Sequence, residues 1–546
     1  MKKTINKTIK KLYWLTPLIV GLIPFLSRII YYPVGDDYIM NFIVRGSLSN
    51  KPDEYIPFVN IVIGKVLKIL YIITGNTIDW MVVMYCLSII LCSYIVLSIF
   101  YKYCSPCMSL FFAISFEVII VAWVTFTTIA YISAFCGILL MCELIKANRL
   151  FLKKLKLTLL VIFLFVFSYL LRTDAFYSAI LLSIPYILFN YSKNIMDNKK
   201  SVAIIIFSVF ILLVTSSLLN YKVYNTEMWK EYHEWNESRS LVFDYPVDGY
   251  SNDVYKNINY SYNDYKGIET KRFIADKRVY SINNLNEIST KTKASTRKNR
   301  SVIQIINKLI KMKEYWWFLI VFVLCCFIIE KRTYLFIQLL VTQLLAMYLF
   351  YINRPLQRIL VILFLISSLL MIAETIQRKK TNRLNSYSYA LVIVFMILGL
   401  FSAKQIHKNM IDGNSADKEY SKVYEYMHNH SELLFVMNGE KNIWKYYSAG
   451  IISRSPRFNN VESLCSYNLY SDIYYKHVKE YKLKHKDRLL LDIVDNNNVL
   501  LVDWDNESAK YIQKYLEEHT NRQVKMKTIK NYHRIKTNIY SVNYLE

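Results

Sequence analysis

The chain has 546 residues, 54% of them hydrophobic, and its lysines and arginines outnumber its aspartates and glutamates 67 to 41. About eleven apolar runs approach the ~17 to 25 residues that cross a bilayer as a helix, which excludes a soluble protein. Much of the basic excess lies between those runs, where it reads as a topology signal and not as a nucleic-acid surface.

The first apolar run, 12–32, is long enough to span and lacks a small-residue cleavage site, so it is expected to remain as the first helix. Just beyond it, Tyr31-Tyr-Pro-Val-Gly-Asp-Asp-Tyr38 carries the adjacent acids Asp36 and Asp37. Residues 57–74 are apolar but hold Lys65 and Lys68 near the centre. Each central lysine costs roughly 2.5 to 3.5 kcal/mol on insertion scales. This segment is therefore expected to lie in the interface as an amphipathic helix, with its lysines turned to water.

Further spans are expected near 79–100, 107–123, 128–145, 157–171, 174–190, 202–220, 315–330, 333–351, 357–374 and 387–404. With 57–74 kept out of the membrane, the basic loops fall on one side: twenty lysines and arginines, against seven in the short loops opposite. The positive-inside rule then predicts a multi-pass plasma-membrane protein with a cytoplasmic N-terminus. The outer face receives the loop 33–78, an insert 221–313 and the region 405–546.

The insert is polar and tyrosine-rich, with a helix expected through Met228-Trp-Lys-Glu-Tyr-His-Glu-Trp235 and no evident core; it reads as a cover. Trp229 and Trp235 are expected at the membrane interface. The C-terminal region alternates helical patterns (418–429, 466–484, 507–519) with the apolar strands 433–436 and 499–502 and a hairpin in 522–543. It reads as a small extracytoplasmic α/β domain behind a mainly α membrane domain, 1–404. Only Cys465 of the nine cysteines lies in the large soluble segment, which excludes a disulfide framework there. Cys104 and Cys107 have no second pair near them in sequence, so no metal site is assigned to them.

Asp36 and Asp37 lead the candidates for chemistry. A carboxylate held at headgroup level could deprotonate an acceptor hydroxyl while a sugar leaves its phosphate. The same pair could hold a divalent cation, Mg or Mn, through oxygen ligands. Glu54 is a candidate second acid, and neighbouring Asp53 reads as a helix cap. Glu117, within the third span, and Asp174 are candidate cavity residues, because an ionisable group at membrane depth usually faces a cavity or a partner. Arg172, Arg354 and Arg358 mark outer helix ends, where guanidinium groups could grip a lipid phosphate through paired hydrogen bonds.

This pattern resembles the GT-C superfamily of membrane glycosyltransferases. The resemblance rests on Asp36-Asp37 just after the first span, the juxtamembrane segment 57–74, the many further helices and the external C-terminal domain. It implies a polyprenyl-phosphate-sugar donor, a cell-surface glycan or lipid-linked acceptor, inversion at the anomeric centre, Asp36 or Asp37 as base, and the three arginines as phosphate ligands. Trp316-Trp317 is followed by Phe318, which departs from the Trp-Trp-Asp motif of oligosaccharyltransferases and argues against transfer of a whole oligosaccharide to asparagine. A surface-polysaccharide polymerase and a lipid-linked glycan transporter or flippase are the alternatives.

Overall fold

The structure, a computed structural model, describes residues 2–147, 155–245, 247, 249–250, 252–298, 301–329, 332–352, 354–378, 386–438, 447–452, 458–504 and 507–545. Helix dominates. The chain opens with α1 (Lys2–Leu26), the short α2 (Asp36–Arg45) and α3 (Ile61–Ile73), then α4 (Trp80–Phe100), α5 (Pro106–Ala122), α6 (Phe126–Lys146), α7 (Leu155–Leu171), α8 (Thr173–Asp197) and α9 (Lys199–Tyr224). The insert follows as α10 (Glu227–Phe243), α11 (Asn252–Asn257), α12 (Tyr262–Glu269), α13 (Ile282–Lys298) and α14 (Val302–Ile310). Four more apolar helices, α15 (Lys313–Ile328), α16 (Thr333–Tyr351), α17 (Gln357–Arg378) and α18 (Ser386–Asn429), complete the bundle.

Seven of these helices are long and apolar enough to cross a membrane, and α1, α5 and α7 add shorter apolar stretches. The protein is a multi-pass membrane protein. At 13 residues α3 is about 20 Å long, short of the ~30 Å hydrocarbon core. Helices α6 and α17 are buried over most of their length and form the centre of the bundle, while α9 presents Ile206, Phe207, Phe210 and Leu218 outward. Local sequence sets the breaks. Ser105 and Thr125 cap α5 and α6 by accepting from backbone N–H groups three residues on.

The bundle's last helix differs from the expected organisation. Residues 405–429 were expected to belong to a separate domain, but α18 runs without interruption for 44 residues, about 66 Å, through the position where the apolar pattern ends. Nothing in 405–429 breaks a helix except Gly413, and there the missing Cβ makes room for the Tyr31 ring. The Tyr31 hydroxyl also donates to Asn414 Oδ1 at 2.8 Å, tying the loop after α1 to this extension.

Beyond α18 the chain forms β1 (Leu434–Met437), β2 (Val461–Ser463), α19 (Asp472–Glu480), α20 (Leu489–Asp495), β3 (Val499–Asp503), α21 (Ser508–Thr520), β4 (Val524–Tyr532) and β5 (Thr537–Tyr544). The five strands lie in the order β2-β1-β3-β5-β4. β1 pairs in parallel with both β2 and β3, and β5 runs antiparallel to β3 and β4. The small α/β domain expected from the sequence is present; β2 and α20 are additional.

Alternation along the strands feeds two cores, because successive side chains point to opposite faces. Phe435, Met437, Leu500 and Val502 join the apolar core that continues into the membrane bundle. Leu434, Val436, Val499 and Leu501 face a second core shared with the insert residues Trp235, Tyr255, Tyr260, Tyr265, Phe273 and Tyr280. The insert therefore does have a core, built from tyrosines that read as polar in the sequence. Trp229 and Trp235 are packed inside protein and not at a membrane interface: Trp235 is buried and donates its indole N–H to Tyr280 O at 3.1 Å.

Candidate active site

The helices alternate so that the loop carrying α2 and α3, the first turns of α6, α8 and α17, the insert and the C-terminal domain gather at one end of the bundle. There they enclose a cavity of about 1160 Å³. Asp36, Arg172, Asp174, Arg354 and Arg358 all line it, although the sequence scatters them over the starts of the second, eighth and seventeenth helices.

The two adjacent acids have different surroundings. Asp37 is fully buried: Tyr85 donates its hydroxyl to Oδ1 at 2.7 Å, and the Phe126 N–H donates to the same oxygen at 2.8 Å. Oδ2 has no partner among the described residues. Burial pushes the Asp37 carboxyl up to about 7 against the lowering effect of those two hydrogen bonds. Asp37 thus anchors the first turn of α2 to α4 and α6. The same helix is fixed further along, where Asn41 Nδ2 and the Tyr71 hydroxyl donate to the two oxygens of Asp79, each at 2.8 Å.

Asp36 instead faces the cavity, with its carboxylate 3.5 Å from an Arg358 Nη. Burial raises its pKa above the ordinary carboxylate range; Arg358, Arg172 and Arg239 oppose that shift and Asp244 adds to it. The Nε–H of Arg358 is buried without a partner among the described residues, so a donor remains on the guanidinium beside the catalytic candidate. Both soluble parts brace this turn. Tyr232 of α10 donates to Tyr467 O at 2.6 Å, and the Tyr467 hydroxyl donates to Asp36 O at 3.2 Å.

Arg172 sits where α7 gives way to α8. It pairs with the mostly exposed Asp174 at 3.1 Å, and its guanidinium lies 5.8 Å from the ring centroids of both Phe58 and Phe126. Phe58 holds φ at 67°, a left-handed conformation that costs a bulky residue energy and that its surroundings must impose. Arg354 pairs with Asp244 of the insert at 2.6 Å. Phe58, His233 and Asn236 also line a second cavity of about 790 Å³, bounded by Tyr55, Trp229 and Tyr232.

Two candidates lie elsewhere. Glu54 is outside the residues lining the cavity around Asp36 and forms an ion pair with Lys68 of α3. Burial raises its pKa, but the Lys68 hydrogen bond and the charges of Lys68 and Lys65 outweigh it and leave the carboxyl below its usual range. Glu117 is buried inside the bundle, accepts from Ser93 at 3.3 Å and lines neither cavity described here. Asp53 accepts from the Tyr55 N–H at 3.1 Å and pairs with Lys476 of α19, docking the C-terminal domain on the loop. The cation reading of the acidic pair does not fit this donor set. Asp36 and Asp37 turn to separate environments, and no group of three His, Cys, Asp or Glu side chains converges among the described residues.

Sequence reasoning missed Lys271, Arg272, Tyr131 and Tyr467 on the cavity wall, where Arg239 of α10 also lies. Lys271 and Arg272 carried no signal beyond their charge.

No family model matches the chain, and no curated protein matches it. Among solved structures it is similar to ArnT from Cupriavidus metallidurans bound to undecaprenyl phosphate, at 10% identity and a TM-score of 0.44 over 98% of both chains. The apo state of the same protein aligns over the same shares at 9% identity and a TM-score of 0.44.

Proposed function

We propose that this protein is an inverting glycosyltransferase that moves a sugar from a polyprenyl-phosphate donor to a hydroxyl of a cell-surface glycan or lipid-linked acceptor. The observation that carries this reading is the pairing of Asp36 with Arg358 on the wall of a large cavity at one end of a membrane bundle, with Arg172 and Arg354 on the same wall. The donor class is the one implied by the GT-C resemblance of the sequence. The charge asymmetry of the loops supports a cytoplasmic N-terminus and a cavity on the outer face of the plasma membrane.

Asp36 acts as general base and accepts the proton of the acceptor hydroxyl as that oxygen bonds to the anomeric carbon. The bond from the anomeric carbon to the phosphate oxygen breaks from the opposite face. Its electron pair leaves with the lipid phosphate, and Arg358, Arg172 and Arg354 stabilise the charge it gains. Because attack and departure are on opposite faces, the configuration inverts. Burial raises the Asp36 pKa above the ordinary carboxylate range, which makes its carboxylate a stronger base for the hydroxyl proton. Asp37 holds the turn in place, and no step is routed through a metal ion.

The test is surface-glycan composition in a deletion strain complemented with wild type, Asp36→Asn or Asp37→Asn, after membrane levels of each are matched. Wild type restores one sugar substituent, and Asp36→Asn reduces it by about 100-fold or more, the scale of a lost general base. Full restoration by Asp36→Asn rules out the base assignment and returns the polymerase or transporter reading.

A further inference from the structure

The cavity around Asp36 is lined by more cations than carboxylates. Among the described residues six cationic side chains line it, Arg172, Arg239, Lys271, Arg272, Arg354 and Arg358, against the four carboxylates Asp36, Asp174, Glu237 and Asp244. The cations divide by origin. The three from the membrane helices each face a carboxylate: Arg172 with Asp174, Arg354 with Asp244 and Arg358 with Asp36.

The insert wall is different. Arg239 is buried, yet its Nε–H donates to the neutral amide oxygen of Asn236 at 2.9 Å and its guanidinium lies 5.5 Å from the Phe243 ring centroid. The Lys271 ammonium donates to the Phe243 carbonyl oxygen. Neither stands in an ion pair among the described residues. Arg272, next along, is buried and reaches Asn438 O at 3.5 Å. The Arg239 guanidinium, taken out of water with an amide oxygen and an aromatic ring as its close partners, keeps part of its desolvation cost uncompensated, and an anion delivered into the cavity relieves it. Arginine favours oxyanions for this because its planar fork matches their geometry.

We propose that Arg239 and Lys271, with Arg272 beside them, form a second oxyanion subsite on the insert wall, so that one of the two substrates carries a phosphate group besides the lipid phosphate held by the membrane arginines. This rests on the transfer reading for its second ligand and not for the subsite itself. The additional phosphate has two sources, a diphosphate on the donor lipid or a phosphate on the acceptor.

The experiment uses full-length protein in nanodiscs, with inorganic phosphate as probe and its 31P line width as readout. Wild type is expected to bind phosphate and to keep it when the nanodiscs are loaded with undecaprenyl phosphate, because the two ligands occupy different walls. Arg239→Gln with Lys271→Gln should weaken phosphate binding by about tenfold or more while leaving undecaprenyl phosphate bound. Arg239→Lys keeps the charge and should retain most of the binding, and Lys271→Gln alone, at an exposed position, tests the subsite without disturbing packing. Displacement of phosphate by undecaprenyl diphosphate assigns the additional group to the donor; persistence beside it assigns the group to the acceptor. The proposal is overturned if undecaprenyl monophosphate expels the bound phosphate, if wild type binds none, or if both Gln variants bind as wild type does. Phosphate binding without any sugar transfer would instead count against the transfer reading and leave the subsite standing.

Discussion

Arg358 stands 3.5 Å from the carboxylate of Asp36, joining the first turn of α17 to the first turn of α2. The arginine lowers the Asp36 pKa against burial, which raises it. Arg358→Gln removes that opposition, so the acidic limb of the pH–rate profile for sugar transfer should move to higher pH. The transfer rate at neutral pH should fall by roughly 10- to 1000-fold, since the leaving phosphate loses a donor as well. Arg358→Lys should restore part of the rate and most of the limb's position. An unmoved limb in the Gln variant would separate Arg358 from the base.

Asp37 makes stability depend on pH. Its carboxyl is raised from 3.8 to about 7 in the folded protein, so ionisation is resisted there and not in the unfolded chain. Below about 4 both states are protonated and there is no cost. Between that pH and about 7 the unfolded state ionises first and folding loses stability, up to roughly 4 kcal/mol, a loss that stays constant above 7. Asp37→Asn cannot ionise, and its amide oxygen can still accept from Tyr85 and Phe126. The variant's melting temperature relative to wild type should therefore rise from pH 4 to 7 and level off beyond. Thermal denaturation in detergent across that range checks it, and a flat difference would show that Asp37 is ionised in the fold.

His477 of α19 has the opposite sign. Burial lowers its pKa, but the Glu462 carboxylate at 2.5 Å from Nδ1, its charge, and Leu48 O at 2.8 Å from Nε2 outweigh burial and leave it raised above 6.5. Its folded-state charge contributes stability below the unfolded value near 6.5, and that contribution is lost as pH rises through the folded value. Leu48 lies in the loop that follows α2, so the loss should loosen the joint between the C-terminal domain and the Asp36 loop. Amide exchange in residues 46–53 should speed up in wild type as pH rises, after correction for intrinsic rates. His477→Gln should show the faster exchange at every pH.

Gly64 lies where α3 crosses the backbone of Glu54, and a Cβ there would overlap the Glu54 carbonyl oxygen. Since backbone and not a flexible side chain must yield, Gly64→Ala should cost about 1 to 3 kcal/mol and lower the melting temperature. Gly75→Ala has open space but a φ of 54°, so its effect should come from backbone strain alone and be smaller.

The parts of the fold legible in the sequence were those that one physical term decides. Hydropathy and length located the apolar helices, and the cost of Lys65 and Lys68 kept α3 out of the span list; the structure gives it 13 residues. Asp36, Arg172, Arg354 and Arg358 were legible because they are among the few charges in the short outer loops between apolar runs. What stayed hidden depends on contacts between distant segments. Tyrosine has both an apolar ring and a polar tip, so the Tyr255, Tyr260 and Tyr280 cluster looked like surface until the sheet supplied its other half. Asp36 and Asp37 could not be told apart, because their difference comes from Tyr85 and Phe126 on two other helices. The continuity of α18 past its apolar portion followed from the absence of a helix breaker and not from any hydrophobic signal.

The core shared by the insert and the C-terminal sheet has a consequence for biosynthesis. The insert is translated before α15, so its aromatic half emerges while four membrane helices and the sheet are still to be made. Until those arrive, Trp235, Phe273 and the tyrosines have nothing to close against. A ribosome that stops anywhere between the insert and β3 therefore releases a chain with an open aromatic face, a substrate for quality control and not a smaller working enzyme.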